Sequence, residues 1–288
     1  MDGGWRHEVA GGWRHEVGGG WRHEVGGGWR YEVAGGVGVF RASALESAGV
    51  VACVSSRCGG VGVRPFDSLN LGRGVDDAEV AVEENRRRLG EALGVPWPRL
   101  ATVRQVHGTT VHTVAGAGPQ GLDADALIGR GPGTALAILV ADCAPVLLLD
   151  PRTGALGLAH AGWRGTVGGI AARTVAALHD AYGCRPGDLL AAVGPAIGPC
   201  CYEVDEPVLA RLRAAVPWWA EVVRPGRPGH AYLDVPGANL RVLRDAGLDP
   251  DRVDVSGLCT ACGQDRLFSH RGSGGRTGRM AAVLALAG

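Results

Sequence analysis

The chain of 288 residues contains no lysine, so all 29 of its basic residues are arginine. This absence excludes a lysine Schiff base as a catalytic device. It also excludes a phosphate-binding loop of the Walker type, which depends on a lysine. Any phosphate or carboxylate must therefore be bound by arginine, whose planar guanidinium donates paired hydrogen bonds.

The sequence also lacks long apolar segments and an excess of charge of either sign. No apolar run reaches the length that spans a membrane, and the N-terminus has no basic region followed by an apolar one. The 29 basic residues are balanced by 29 acidic ones, so no basic surface for nucleic acid is indicated. We expect a soluble, cytoplasmic protein whose partners are small molecules rather than nucleic acid or membranes.

Eight cysteines occur in a chain that is too long and too cysteine-poor to need disulfides for stability. Free thiols or metal ligands are therefore expected. Cys259 and Cys262 have the spacing of half a zinc finger, but no second pair with this spacing exists. We interpret both, and the adjacent Cys200 and Cys201, as structural thiols.

Residues 3–34 consist of four near-identical octapeptides that read Gly-Gly-Trp-Arg-His/Tyr-Glu-Val-Ala/Gly. A period of eight fits neither a coiled coil nor a known solenoid. We interpret residues 1–36 as a glycine-rich, disordered extension that can be deleted without loss of activity. The alternative is a metal-binding or aromatic interaction tail that uses His7, His15 and His23.

From residue 37 to residue 288, short apolar runs alternate with amphipathic stretches. Helix starts are predicted at Asp76, Thr166, Asp205 and Asp234, from capping residues and nearby prolines. The strands cluster without regular β-α-β alternation, so we predict a single α+β domain of mixed β-sheets flanked by helices. The predicted strands are Val50 to Ser55, Ala101 to Val106, Ala135 to Val140, Pro145 to Leu149, Ala155 to Ala159, Leu189 to Val193 and Met280 to Leu284.

His107, Cys143 and His160 each lie at the end of a predicted strand. Two imidazoles and a thiolate suit zinc, and three protein ligands leave a position for water, as in catalytic sites. Their spacing alone equally fits three unrelated core or loop residues. The motif His160-Ala-Gly-Trp-Arg-Gly165 favours a site, because its glycines permit a tight turn into a helix whose N-terminal amides could receive an anion.

Further short motifs follow one another in order from about Arg57 to the C-terminus. They are Ser68-Leu-Asn-Leu-Gly72, Arg104-Gln-Val-His-Gly108, Ala141-Asp-Cys143, His160-Ala-Gly-Trp-Arg-Gly165, Gly194-Pro-Ala-Ile-Gly198, Cys201-Tyr-Glu-Val204, Phe268-Ser-His-Arg271 and Gly275-Arg-Thr-Gly-Arg279. Together they resemble the laccase-domain purine nucleoside phosphorylase family, formerly called polyphenol oxidases. The resemblance implies zinc on His107, Cys143 and His160. It also implies phosphorolysis of adenosine, inosine, guanosine and methylthioadenosine, and deamination of adenosine.

Histidine is too scarce outside the octapeptides for the older oxidase name to be taken literally. A blue-copper centre with a multicopper cluster needs many imidazoles, and no His-x-His pair occurs. We therefore expect zinc rather than copper, with phenol oxidation as a less favoured alternative. The remaining histidines are His107, His112, His160, His179, His230 and His270.

Phosphorolysis requires a phosphate site, and two glycine-rich loops contain arginine, the first at residues 57–64 and the second at residues 270–279. We select Arg57 and Arg276 for anion contact, with ordinary surface loops as the alternative. Asn70 could bind a ribose hydroxyl or a base edge, or be a turn residue. Arg164 could line the pocket beside His160 or form a surface ion pair. Asp142 should point away from Cys143 and support the site rather than act as an acid.

Three other functions stay open at this point. Cys143 could be the nucleophile of a cysteine hydrolase activated by His160 or His107. A related possibility, suggested by family members that resemble peptidoglycan-editing factors, is action on a cell-wall precursor. The chain could also be an interaction protein with a structural zinc. For phosphorolysis or deamination, Glu203 is a possible general acid. Its alternative role is that of a structural partner.

Overall fold

The computed structural model describes residues 14–16, 20–24 and 27–286, with side chains described from residue 27 onward. Its helices, in chain order, are α1 Ser43–Ser47, α2 Glu79–Leu93, α3 Trp163–Val167, α4 Ile170–Tyr182, α5 Glu206–Ala215 and α6 Val235–Asp245. Its strands are β1 Arg14–Glu16, β2 Gly20–Glu24, β3 Trp29–Ala34, β4 Val37–Ala42, β5 Val50–Ser55, β6 Thr102–Arg104, β7 Val111–Thr113, β8 Pro119–Asp123, β9 Ala126–Arg130, β10 Ala135–Val140, β11 Ala144–Asp150, β12 Ala155–Ala161, β13 Leu190–Val193, β14 Glu203–Asp205, β15 Val223–Pro225, β16 His230–Leu233, β17 Val253–Val255 and β18 Met280–Leu286. No helix in these ranges combines the length and the apolar character needed to cross a membrane.

Two large sheets form the centre of the domain. One has seven strands in the order β1-β2-β3-β4-β5-β18-β10, and its neighbouring strands are antiparallel. The other has six strands in the order β17-β13-β11-β12-β9-β7 and is mixed, because its outer pairs β13/β17 and β7/β9 are parallel. The mixed-sheet α+β class predicted from the sequence is confirmed.

The domain has four layers: helices α4 and α6, the six-stranded sheet, the seven-stranded sheet and helix α2. Strand β11 illustrates how they pack. Side chains alternate across a strand, so Leu147 and Leu149 pack against the seven-stranded sheet, while Val146 and Leu148 pack against α4 and α6. Helix α2 covers the outer face of the seven-stranded sheet through Leu89 and its neighbours. Because β11 is buried on both faces, it reads as a continuous apolar run. Each fully buried leucine stabilises the fold by about 1.5–3 kcal/mol.

The fourth octapeptide belongs to this core. Strand β3 pairs along its length with β4, and its Trp29 is only 1% exposed between the two large sheets. The described fold therefore includes residues 27–36, so the disorder predicted for this part of residues 1–36 is wrong. The backbone of β2 pairs with β3 in turn. Residues 1–13, 17–19, 25 and 26, and the side chains of His7, His15 and His23, lie outside the described residues, so the disorder predicted there stays a prediction.

Most predicted strands are found, and two have the predicted bounds, β5 and β10. The strand predicted over Ala101 to Val106 is shorter. Only β6 is regular, because the Gln105 side chain bonds the backbone of Leu139 and because His107 takes a positive φ of 59°. The chain therefore leaves the strand three residues before His107.

Two of the four predicted helix starts are observed in the structure. Helix α6 begins after Asp234, whose carboxylate accepts the Gly237 N–H at 2.9 Å, and α5 begins after Asp205. Helix α2 starts after Ala78 rather than at Asp76, which has a positive φ of 63° that a helix start cannot use. Thr166 lies inside α3 and donates back to the Gly162 carbonyl, so α4 starts after a glycine instead.

Candidate metal centre and substrate cavity

Strand pairing in the six-stranded sheet brings two of the predicted ligands together. Strands β11 and β12 are antiparallel neighbours, with Pro145 opposite His160 and Ala144 opposite Ala161. Cys143 directly precedes the first residue of β11, so it lies beside the C-terminal end of β12, which carries His160. His107 reaches the same place from the segment after β6. Residues distant in sequence thus meet at one end of the sheet.

The three ligand atoms form a compact group. The Cys143 sulfur and one ring nitrogen from each of His107 and His160 all lie within 4.8 Å of one another. The two imidazole rings meet edge to face, with centroids 4.9 Å apart. His160 is buried at 3% exposure, whereas His107 is exposed. A thiolate and two imidazoles at these separations could hold a single metal ion.

A buried carboxylate that the sequence analysis missed organises this group. Asp125 is fully buried and lies 2.9 Å from Nδ1 of His160. It also accepts the backbone N–H groups of Val106, His107 and Gly108 at 3.3, 2.9 and 2.6 Å. An ionised carboxylate can only accept, so Nδ1 carries the proton and Nε2 of His160 is left as the ligand atom. The sequence signal was an aspartate directly before the apolar strand β9, where burial demands partners.

The electrostatics of the group favour a thiolate. Burial by itself would raise the pKa of the Cys143 thiol, but hydrogen bonds and charge from His107 and His160 outweigh burial and lower the pKa to about 6. Burial would lower the pKa of His160, yet Asp125 and Cys143 raise it to about 9. The pKa of Asp125 is lowered, because its bonds to His160 and to the backbone outweigh burial. The thiolate is the form of cysteine that binds metals.

Two backbone features let the ligands approach. A Cβ atom on Gly162 would lie 2.7 Å from the Cys143 sulfur and 3.4 Å from Cδ2 of His107, so only glycine fits there. Asp142 has a positive φ of 88° just before Cys143. Such strain persists only where the surroundings hold it. The Asp142 carboxylate supplies that hold, since it accepts bonds from Thr260 Oγ1, Ser269 Oγ and the Arg271 N–H at 2.6, 2.7 and 2.6 Å.

A cavity of about 560 Å³ opens above the three ligands. This volume is in the range that binds small molecules. Its walls combine apolar or aromatic side chains with several arginines. The lining residues are Arg73, Gly74, Val75, Val103, Gln105, His107, Leu139, Ala141, Asp142, Cys143, His160, Gly162, Trp163, Arg164, Ile197, Tyr202, Val235, His270, Arg271 and Arg279.

Of the four residues selected for substrate binding, only Arg164 lines the cavity, and its guanidinium stacks on Trp163 at 4.5 Å from the ring centroid. Arg57 donates instead to the carbonyls of Asp67 and Gln264. Asn70 is fully buried and bonds both Gly72 and the Arg279 N–H, which makes it a turn residue. Arg276 is exposed near Phe66.

The second glycine-rich loop does reach the cavity, but through different residues. His270, Arg271 and Arg279 line the wall, and Arg271 stacks on Tyr202 at 4.8 Å from the ring centroid. Arg276, the arginine selected within this loop, does not line the cavity, and a phosphate site on the loop stays a prediction. Glu203 is ion-paired with Arg227 at 2.9 Å and does not line the cavity, which agrees with its structural alternative.

Comparisons with known proteins agree with this architecture. A family model described as multi-copper polyphenol oxidoreductase laccase matches residues 51–287. The chain is 41% identical over 259 residues to purine nucleoside phosphorylase YlmD of Geobacillus stearothermophilus. This match covers 86% of this chain and 94% of that protein. It is 44% identical over 234 residues to a purine nucleoside phosphorylase of Deinococcus radiodurans, covering 81% and 87% of the two chains.

Solved structures show the same fold. The crystal structure of YlmD from Geobacillus stearothermophilus has a TM-score of 0.80 at 39% identity, covering 87% of this chain and 96% of that chain. The hypothetical protein YfiH of Bacillus licheniformis has a TM-score of 0.81 at 32% identity, covering 86% and 96%. The chain therefore belongs to the laccase-like multi-copper polyphenol oxidoreductase family. The resemblance seen in its motifs is confirmed.

Proposed function

We propose that this protein is a zinc-dependent purine nucleoside phosphorylase that also deaminates adenosine. The observation that carries the proposal is the cavity in which His107, Cys143 and His160 lie beneath arginine and aromatic side chains. The names of the two relatives above support the phosphorylase reaction. The proposed setting is the cytoplasm, where phosphate and nucleosides are available and thiols stay reduced.

The donor set fits zinc. Two imidazoles and a thiolate satisfy a borderline-soft ion, and three protein ligands leave a coordination position for a small molecule. The bond from His160 to Asp125 is the support that such histidine ligands require. Zinc held there would supply Lewis acidity to the cavity. A multicopper centre is less favoured, because His107 and His160 are the only histidines of the described residues that join a potential metal group.

The walls of the cavity suit a nucleoside and phosphate. Trp163 and Tyr202 offer aromatic faces to a purine, and each carries a stacked arginine, Arg164 or Arg271. Guanidinium groups bind phosphate through paired hydrogen bonds. In phosphorolysis, an oxygen of phosphate forms a bond to the anomeric carbon while the bond from that carbon to the purine breaks. Holding phosphate and nucleoside side by side is the main contribution that these residues can make.

Deamination uses the same cavity without phosphate. Water adds to the purine C6 of adenosine, and ammonia leaves to give inosine. The two reactions differ in the nucleophile and in the carbon attacked, so the presence of phosphate separates them. We expect adenine to form only when phosphate is present and inosine to form in either case.

The test uses the full chain, loaded with zinc and incubated with adenosine, with and without phosphate. Adenine and inosine are followed by chromatography. Both products should disappear in His107→Ala and Cys143→Ala and persist in the controls His112→Ala and Cys58→Ser, which change the same residue types outside the cavity. If zinc-replete protein makes neither product, the nucleoside function is rejected.

A cysteine hydrolase is the second candidate, and one observation favours it. Cys143, His160 and Asp125 form a thiol, imidazole and carboxylate series, and the lowered pKa of Cys143 makes a reactive thiolate. Metal dependence separates the two functions. Loss of activity with a chelator and its recovery with zinc would support the phosphorylase. Activity that survives chelation but is lost on alkylation of Cys143 would support the hydrolase.

A further inference from the structure

A second group of potential metal ligands lies apart from the three just described. The sulfur atoms of Cys200, Cys201, Cys259 and Cys262 all lie within 4.8 Å of one another. Within the group, the sulfurs of Cys201 and Cys262 lie 3.4 Å apart and those of Cys200 and Cys262 lie 3.5 Å apart. The pair that seemed to lack a partner in the sequence therefore has one in the fold, supplied by two adjacent cysteines.

Backbone pairing brings these two segments together. Ala196 forms a parallel bridge with Cys259, made by hydrogen bonds of 3.2 Å to the Leu258 carbonyl and 3.0 Å from the Thr260 N–H. This bridge continues the parallel pairing of β13 with β17. The turn after Gly198 then carries Cys200 and Cys201 over the turn that begins at Cys259. The thiols are thus positioned by the sheet and do not depend on a flexible loop meeting another.

Gly198 contributes directly to the cluster. Its N–H donates to the Cys259 sulfur at 3.3 Å, and a Cβ atom on it would lie 3.3 Å from Cβ of Cys259 and 3.4 Å from the sulfur of Cys200.

Four sulfurs this close cannot all be negative at neutral pH unless a cation offsets their repulsion. A divalent ion that binds thiolates releases the protons and removes the repulsion. The geometry of the cluster therefore suits four thiolates arranged around one cation.

The separations match a single tetrahedral ion. Zinc binds cysteine sulfur at about 2.3 Å, which places the sulfurs of a tetrahedral site roughly 3.8 Å apart. The distances of 3.4 and 3.5 Å lie just below this value, and the upper bound of 4.8 Å for all sulfur pairs lies above it. An iron–sulfur cluster distributes its thiolates over separate iron atoms and needs a wider arrangement. We propose that Cys200, Cys201, Cys259 and Cys262 bind one zinc ion through four thiolates.

Four protein ligands leave no open position, so this zinc is structural. Its place in the fold links two parts of the cavity wall. Tyr202, which follows Cys201, lines the cavity, while Thr260 lies between Cys259 and Cys262 and donates to Asp142 at 2.6 Å. The ion therefore ties the turn that carries Tyr202 to the turn that supports the backbone before Cys143.

The test counts metal rather than turnover, so it is independent of the proposed nucleoside chemistry. In the variant His107→Ala/Cys143→Ala, the first site is destroyed and the four cysteines remain. After zinc loading and buffer exchange, inductively coupled plasma mass spectrometry should find one zinc ion per chain. X-ray absorption should show four sulfur neighbours at about 2.3 Å. Adding Cys259→Ser and Cys262→Ser should remove this zinc, whereas adding Cys58→Ser should not.

Two results would overturn the proposal. One is a folded His107→Ala/Cys143→Ala variant that retains no zinc, including the case in which its mass without reductant shows a disulfide among the four cysteines. The other is bound zinc with nitrogen or oxygen neighbours. If the serine variants fail to fold, cobalt loading of the His107→Ala/Cys143→Ala variant decides instead. A thiolate-to-cobalt charge-transfer band typical of four sulfurs supports the site, and its absence rejects it.

Discussion

The Nδ1 atom of His160 lies 2.9 Å from Oδ1 of Asp125, and the same carboxylate accepts the backbone N–H of His107. One buried side chain therefore orients two of the three ligands. It fixes the tautomer of His160 and holds the positive φ of His107. This relationship makes Asp125 a positioning residue for the metal centre, although it does not itself line the cavity.

Replacement of Asp125 by asparagine should weaken metal binding. Asparagine has a similar shape but no charge, so His160 loses the acceptor that favours its Nε2 ligand form, and some backbone donors lose theirs. Removal of such a support typically costs 10-fold to 100-fold in metal affinity. Competition with a chromophoric chelator measures the change. Asp123→Asn is the control, because Asp123 is an exposed partner of Arg104. An unchanged affinity in Asp125→Asn would contradict the assigned role.

Gly162→Ala should disrupt the centre without unfolding the domain. The added methyl group would lie 2.7 Å from the Cys143 sulfur, so the ligand must move. A misplacement of about 1 Å can cost about 100-fold in turnover. We expect such a loss together with weaker zinc retention. Gly116→Ala is the matched control, because nothing lies within 4 Å of a Cβ atom there. Equal turnover of the two variants would show that the close approach is unimportant.

The reactivity of Cys143 should report its lowered pKa. Only the thiolate is alkylated, so in chelator-treated protein the rate should rise as pH increases through about 6 and then level off. An ordinary cysteine, with a pKa of about 8.5, would still be gaining reactivity at that point. His107→Ala should move the midpoint upward, because it removes one hydrogen bond to the sulfur. Mass spectrometry of the Cys143 peptide measures the rate, and a midpoint near 8.5 in the unmodified chain would refute the shift.

The three candidate ligands could be singled out from the sequence because each carries a local signal. His107 and His160 lie beside glycines in short motifs, and Cys143 interrupts two apolar strands. Asp125 and the four-cysteine cluster could not be predicted in the same way. Their roles depend on strand register, such as Ala196 opposite Cys259, which no local pattern specifies. Arg57 and Arg276 were selected from glycine-rich loops, but composition does not tell which arginine of a loop faces inward.

The disorder predicted for residues 27–36 was wrong for a related reason. Repetition made the fourth octapeptide look like the others, although β3 is an inner strand of the seven-stranded sheet.

Trp29→Ala should therefore lower the free energy of unfolding by about 3–5 kcal/mol, the usual cost of deleting a buried aromatic side chain. Denaturant unfolding measures it. Trp97→Ala, at a half-buried tryptophan, should cost clearly less. An unchanged free energy of unfolding in Trp29→Ala would show that β3 does not contribute to the stability of the fold.

Phosphate binding separates Arg164, which lines the cavity, from Arg276, which was selected for anion contact and does not line it. Arg164→Ala should raise the KM for phosphate at least tenfold, because a hydrogen-bonded charge contact is worth about 1.5–3 kcal/mol. Arg276→Ala should leave that KM unchanged, since Arg276 is exposed and does not line the cavity. Initial rates of adenine release at varied phosphate give both values. If Arg276→Ala raises the KM and Arg164→Ala does not, the anion site lies on the glycine-rich loop and not beside Trp163.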